Sequence, residues 1–263
     1  MNTTNELNFK IPALSRLGKT EPKTLYYKGN LELLDMPKIA IVGSRKMSIY
    51  TKNLITKLAQ KLSDAGICVV SGAAIGCDIT AHEGAFSRTI AVFANGLDEI
   101  YPKQNEDMIR KIYANALALS EYEDGTPARN FQFLERNRIV VALCQALIVA
   151  QAEPKSGSLQ SARIARELGI PVFVLPHRID ESIGTNELLA KKDATLISDL
   201  DKFVAKFSGK EKPKNLFSHS DEILDFVALN SSLDEALMKF GERIYEYELE
   251  GKIIIEATKI SLA

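Results

Sequence analysis

The stretch Ile39-Ala-Ile-Val-Gly-Ser-Arg45 constrains this chain more than any other. Four apolar residues run straight into a glycine, a hydroxyl and an arginine. An amphipathic pattern then starts near Ser48. Consecutive apolar positions suit a central strand buried on both faces, not a half-exposed one. Gly43 permits a sharp turn and close approach of a ligand. Ser44 can cap or donate to an oxyanion, and Arg45 can fork onto a phosphate. The helix beginning beyond them would aim its positive dipole end at the same spot. The pattern predicts an anion site at the carboxyl end of a parallel strand.

Strand-like segments at 39–43, 67–71, 89–93, 117–120, 146–150, 171–175 and 194–197 alternate with helix-like ones. The latter fall at 48–65, 76–86, 105–115, 133–144, 158–168, 185–191 and 199–206. Alternation implies right-handed βαβ crossovers, so residues 38–206 are predicted to form an α/β, extended Rossmann-like domain. Its sheet is mostly parallel, with helices on both faces. Gly66 and Gly169 fall where helix C-caps are needed. Residues 1–37 read as a lead-in packed on that core, with Leu25-Tyr26-Tyr27 as a short edge strand. Residues 207–220 are lysine-rich and contain Gly209 and Pro213, the composition of a linker. Beyond them, 221–229, 232–239 and 241–250 look helical, and 252–256 with 258–262 look like a ribbon. That is the outline of a small winged-helix-like domain over 221–263.

Net charge is −1, but it is unevenly placed. Residues 221–263 carry ten acids and four bases, a balance of −6, which leaves +5 on residues 1–220. A polyanion would choose the first part and be repelled by the second. No apolar run reaches the ~18 residues of a membrane span. The N-terminus lacks the basic-then-apolar form of a secretory signal. Cys68, Cys77 and Cys144 lack metal spacing and read as buried free thiols in a reducing cytoplasm.

Three further segments offer anion donors. Ser71-Gly72-Ala73-Ala74-Ile75-Gly76-Cys77-Asp78 leads from a strand into a helix. It reads either as a phosphate-holding loop or as a tight turn whose Asp78 steadies the first helical turn. Asp78 and His82, at i and i+4, can touch on one helix face, which favours a structural contact over catalysis. Phe131-Gln-Phe133-Leu-Glu-Arg136-Asn137-Arg138 places aromatics beside arginines, either as a stacking platform for unpaired bases or as half-buried core. Arg129 adds charge to the same rim. Lys155-Ser156-Gly157-Ser158 precedes a helix and presents amides and hydroxyls. It is not a P-loop, and no Gly-x-Gly-x-x-Gly is present. No nucleophile–base pair, metal cluster or paired acids accompany these donors, which favours binding over catalysis, with no metal or cofactor.

These motifs resemble the DNA-processing protein A family (DprA, also called Smf). The matching residues are Ile41-Val42-Gly43-Ser44-Arg45, Ser71 to Asp78, Gly96-Leu97-Asp98 with Tyr101-Pro102 and Asn105, and Leu119-Ser120-Glu121. Phe133 with Arg136-Asn137-Arg138, Lys155 to Ser158 and Gly184-Thr185-Asn186 continue the order over about 39–198. The resemblance implies a cytoplasmic, non-enzymatic protein of natural transformation. Such a protein binds and protects single-stranded DNA, forms homodimers and loads RecA recombinase past single-strand binding protein. Carried over, Gly43, Ser44 and Arg45 would contact phosphate, Phe133 would stack on a base, and Lys155 to Ser158 would complete the pocket. Ser48, Ser71, Gly72, Gly76, Arg136 and Asn137 complete the expected DNA-binding set. Thr51 stands after Tyr50 where members often have glycine. A basic residue expected at the Asn130 position shifts that role to Arg129. Only about 37 residues precede the core, so the N-terminal helical domain of many members is expected to be absent or vestigial.

Overall fold

A computed structural model of the chain describes residues 3–208, 222–230 and 232–262. The chain divides into two compact units, Met1–Gly209 and Lys210–Ala263.

The first unit is built on a nine-stranded sheet. Its strands are β1 (Asn5–Glu6), β2 (Tyr26–Gly29), β3 (Lys38–Val42), β4 (Cys68–Ser71), β5 (Thr89–Phe93), β6 (Leu117–Ser120), β7 (Ala146–Val149), β8 (Val172–Val174) and β9 (Thr195–Leu196). The helices between them are α1 (Ile49–Asp64), α2 (Cys77–Ala85), α3 (Glu106–Asn115), α4 (Asn130–Ala142), α5 (Gly157–Glu167), α6 (Ile183–Ala190) and α7 (Leu200–Phe207). Strands β3 to β9 pair in parallel, while β2 and β1 add antiparallel strands beyond β6. The tyrosine-bearing strand expected at the edge is therefore one place in, and β1 covers it.

Every residue of β3 through β8 is buried. Side chains alternate across a strand, so the apolar run of β3 feeds two cores at once. Ile39 and Ile41 join Ile55, Leu58 and Leu62 of α1 and Phe203 of α7 on one face. Ala40 and Val42 join Ile109 and Ile112 of α3, Ile139 of α4 and Ala162 of α5 on the other. Buried Ile11, Leu14, Leu25 and Leu33 attach the lead-in to this second core. Helix α1 forms because Ile55, Leu58, Ala59 and Leu62 repeat at helical spacing and Ser48 accepts the Thr51 N–H at 3.1 Å as its N-cap.

The strand order β1-β2-β6-β5-β4-β3-β7-β8-β9 decides where a ligand can sit. From β3 the chain winds outward through β4, β5 and β6, then returns to place β7 on the other side of β3. Loops leaving β3 and β7 therefore diverge and open a crevice between their carboxyl ends.

The second unit holds α8 (Glu222–Leu229), α9 (Leu233–Phe240) and α10 (Arg243–Leu249), then an antiparallel ribbon of β10 (Ile253–Glu256) and β11 (Lys259–Leu262). This is the element order expected of a winged helix. Ile223, Val227, Leu233, Ala236, Ile244, Ile253 and Ile260 form its core. Residues 209–220 of the expected linker lie outside the described residues, and Phe207 ends α7.

Candidate functional site

At the β3–β7 crevice lies a cleft of about 400 Å³. Its lining draws on Gly43, Ser44 and Arg45 after β3, Asp78 of α2, Phe133, Arg136 and Asn137 of α4, and Ser156, Gly157 and Ser158 at the start of α5. The anion donors predicted separately from sequence thus converge.

Two loops meet at the mouth because their glycines allow it. A Cβ on Gly76 would lie 2.4 Å from the Ser44 carbonyl oxygen, and its φ of 89° is open chiefly to glycine. A Cβ on Gly43 would lie 2.5 Å from Cys77 Sγ. Gly43 therefore also makes room for the start of α2. Gln151, just past β7, ties the β3 loop down. Its carbonyl accepts the Ser44 N–H at 2.8 Å, and its side-chain oxygen accepts the Ser48 N–H at 3.0 Å.

Arg45 is exposed, and its guanidinium carbon sits over the Phe133 ring, 5.6 Å from the centroid. Among the described residues it makes no ion pair. Tyr101, 41% exposed, packs on the same phenyl ring: its centroid is 5.7 Å from that of Phe133, with planes tilted by 38°. Ser156 Oγ is buried without a hydrogen-bond partner among the described residues. It stands at the N-terminus of α5, where the first amides and the positive dipole end also face an anion.

Beneath the mouth lies a buried layer. Arg136 is only 4% exposed. It donates to the Gly72 carbonyl at 2.7 Å and to the Val92 carbonyl, clamping the ends of β4 and β5. Burial pulls its pKa down to about 10, against the opposing effect of Asp78, so it stays charged at neutral pH. A Cβ on Gly72 would lie 2.4 Å from that guanidinium, so glycine here makes room for an arginine. Asp78 accepts the Gly72 N–H at 3.2 Å. Burial raises its pKa, partly offset by Arg136 and by backbone donors.

The structure places the expected contact residues at different depths. Ser71 is fully buried and donates to the Ile41 carbonyl at 2.6 Å, so it joins strands and cannot meet DNA. Arg136 and Gly72 support the cleft from below. Ser48 commits its hydroxyl to the α1 cap, and Ser44 bonds both the amide and the carbonyl of Lys46 at 3.0 Å. Asn137 lines the cleft but accepts from Arg136 Nε at 3.2 Å. Lys155 is exposed in a left-handed conformation with φ 60°, beside the cleft and not in its lining. Arg129 precedes the first residue of α4, and Asn130 reaches the lining instead. Helix α4 begins three residues before the expected Phe133, because no Ser, Thr or Asp cap marks its start in the sequence. Asp78 and His82 do not bond each other: His82 Nδ1 pairs with Thr89 Oγ1 at 2.6 Å. Arg138 faces away, paired to Glu121 at 2.6 Å and donating to the Thr20 carbonyl. Cys68, Cys77 and Cys144 are buried and free, with burial pushing their thiols upward.

Sequence reasoning missed Gln151, whose place just past the apolar run of β7 was the available signal, and Glu153, an acid in the cleft lining. It also passed over Tyr101 as a site residue. Gly184-Thr185-Asn186 proves structural: Gly184 N–H donates to the Ala152 carbonyl at 2.8 Å, supporting the loop that ends in Ser156.

Residues 6–208 match the family described as DNA recombination-mediator protein A. The DNA processing protein DprA of Streptococcus pneumoniae is 40% identical over 191 residues, covering 71% of this chain and 67% of that protein. Protein Smf of Synechocystis is 37% identical over 187 residues, covering 68% of this chain and 47% of that protein. The chain thus spans 67% and 47% of these two relatives' lengths. The structure of DNA processing protein A from Helicobacter pylori, described for its single-stranded DNA binding mode, aligns with a TM-score of 0.76 at 42% identity. That alignment covers 78% of this chain and 97% of the other. The S. pneumoniae DprA structure aligns with a TM-score of 0.72 at 37% identity, covering 78% and 74%. On sequence and fold together, the chain belongs to the DNA recombination-mediator protein A (DprA/Smf) family.

Proposed function

We propose that this chain is a non-enzymatic single-stranded DNA-binding protein whose β3–β7 cleft holds the sugar-phosphate backbone. The observation that carries the reading is Arg45. It is exposed, makes no ion pair among the described residues, and leans on Phe133 above a cleft that also presents the α5 amides and the Ser156 hydroxyl. Cationic and helix-end donors beside exposed aromatics suit an unpaired strand without sequence preference. The single-stranded DNA binding of the H. pylori relative supports the same assignment. Family likeness extends the proposal to natural transformation in the cytoplasm. There a homodimer would protect incoming DNA and load RecA recombinase against the block set by single-strand binding protein.

A salt titration with fluorescent oligothymidylate tests the cleft. Affinity should fall steeply with salt, and Arg45→Ala should weaken binding and reduce the magnitude of the log–log slope by roughly one. An Arg45→Ala protein binding like wild type at every salt concentration would remove the cleft from the reading.

A further inference from the structure

The family resemblance assigns base stacking to Phe133, but Phe133 is half-buried and already in contact on two fronts. Arg45 lies over its ring at 5.6 Å, and Tyr101 packs against it at 5.7 Å. A base inserted between the two rings would need a separation of about 7 Å, twice the ~3.4 Å rise per nucleotide. The rings are closer than that, so the pair is not an intercalation slot. What remains open is Tyr101 itself, 41% exposed and without a hydrogen bond or ion pair among the described residues. It borders a second depression of about 30 Å³, lined also by Phe93, Asn95, Pro102, Arg45, Phe133 and Arg136. The last three line the phosphate cleft as well, so the two depressions share a wall. The hollow is too small to swallow a base, and its rim is aromatic. It therefore offers a ledge rather than a pocket.

We propose that Tyr101 is a nucleobase-stacking residue, and that the ledge it forms beside Phe133 takes the face of an unpaired base whose phosphate sits in the cleft. Phe133 then acts as the post that holds Arg45 and Tyr101 at fixed spacing. The ring spacing of 5.7 Å lies within the range of packed aromatic pairs, so Tyr101 is held in place before DNA arrives. Its exposed ring contributes stacking without reading sequence, because every base has a π-face. This inference rests on the cleft being a single-stranded DNA site.

The chain contains no tryptophan, so Tyr101→Trp installs a single indole reporter at the ledge. Two probes are titrated into the full chain: oligothymidylate, and an abasic oligomer of equal length with the same phosphates. Oligothymidylate should quench that indole, whereas the abasic oligomer should bind without quenching. Tyr101→Ala should bind oligothymidylate about tenfold more weakly, in keeping with the cost of losing one stacked base. It should bind the abasic oligomer as wild type does, and Tyr101→Phe should retain wild-type affinity for both. Equal quenching by the two oligomers, or Tyr101→Ala matching wild type on oligothymidylate, would overturn the ledge alone. Wild-type protein that bound neither oligomer would overturn the cleft reading and the ledge with it.

Discussion

Arg45 and Arg136 reach the same cleft from different depths, and the contrast separates two kinds of work. Arg45 stands at the lip, exposed, resting on an aromatic ring with no ion pair among the described residues. Arg136 lies in the floor, clamping Gly72 and Val92 carbonyls at the ends of two strands with Asp78 acting on it electrostatically. A guanidinium in water keeps its donors available for a phosphate. A buried one must satisfy them within the fold, because an unpaired buried charge is prohibitively costly. The lip is free to bind, then, and the floor holds the loops that make the lip.

The sharpest way to break this division is Arg136→Ala. It strips two carbonyls of their donor and leaves Asp78 without its strongest positive influence, so unfolding free energy should drop by about 3 kcal/mol or more. Arg45→Ala should stay within about 0.5 kcal/mol of wild type. Urea unfolding of both variants decides the matter, and comparable losses would erase the distinction between lip and floor.

A second test concerns pH. His82 is fully buried, and burial lowers its pKa to about 3 from 6.5, with the floor's Arg136 adding to the effect. Between those values the unfolded chain takes up a proton that the folded chain refuses. Its contribution to stability is therefore complete above about pH 6.5 and is lost as pH falls toward 3, at up to about 1.4 kcal/mol per pH unit. Asp78 works in the opposite sense, since its raised pKa makes the folded state take up a proton first. The difference between wild type and His82→Gln isolates the histidine. Parallel stability curves from pH 7 to 5 would show that His82 is not held neutral by its burial.

Ser71 and Ser156 make the smallest and finest comparison. Ser71→Ala removes a buried bond to the Ile41 carbonyl and should cost about 1 kcal/mol of stability without touching DNA affinity. Ser156→Ala removes a hydroxyl that has no partner among the described residues, so stability should change little while affinity for oligothymidylate falls by a few fold. Reversed outcomes for the two serines would show that the lip extends to Ser71 and not to Ser156.

The sequence was most legible where one residue's environment followed from its neighbours. The run Ile39–Val42 announced a strand buried on both faces, and β3 feeds two cores. Gly66 and Gly169 announced helix C-termini, and they have φ of 78° and 68°. Legibility failed where identical chemistry could be used in two ways. Ser44, Ser48, Ser71 and Ser156 all looked like anion donors. Three of these hydroxyls are committed to the β3 loop, the α1 cap and an interstrand bond. Lys155 and Arg129 illustrate the same limit: a residue or two along a turn decides whether a charge lines a cleft or flanks it.

By itself the sequence determined the parallel sheet, the helices on both of its faces and the gathering of polar donors at strand ends, because periodicity and glycine placement are local properties. Only the tertiary structure decided which donors face outward. That choice depends on strand order: inserting β7 beside β3 brings α4 and α5 over the loop after β3. The ends of β4 and β5 take in Arg136 through the Gly72 and Val92 carbonyls while Arg45 stays at the lip, because burial is set by what the chain packs on top of a residue, not by the residue's own chemistry.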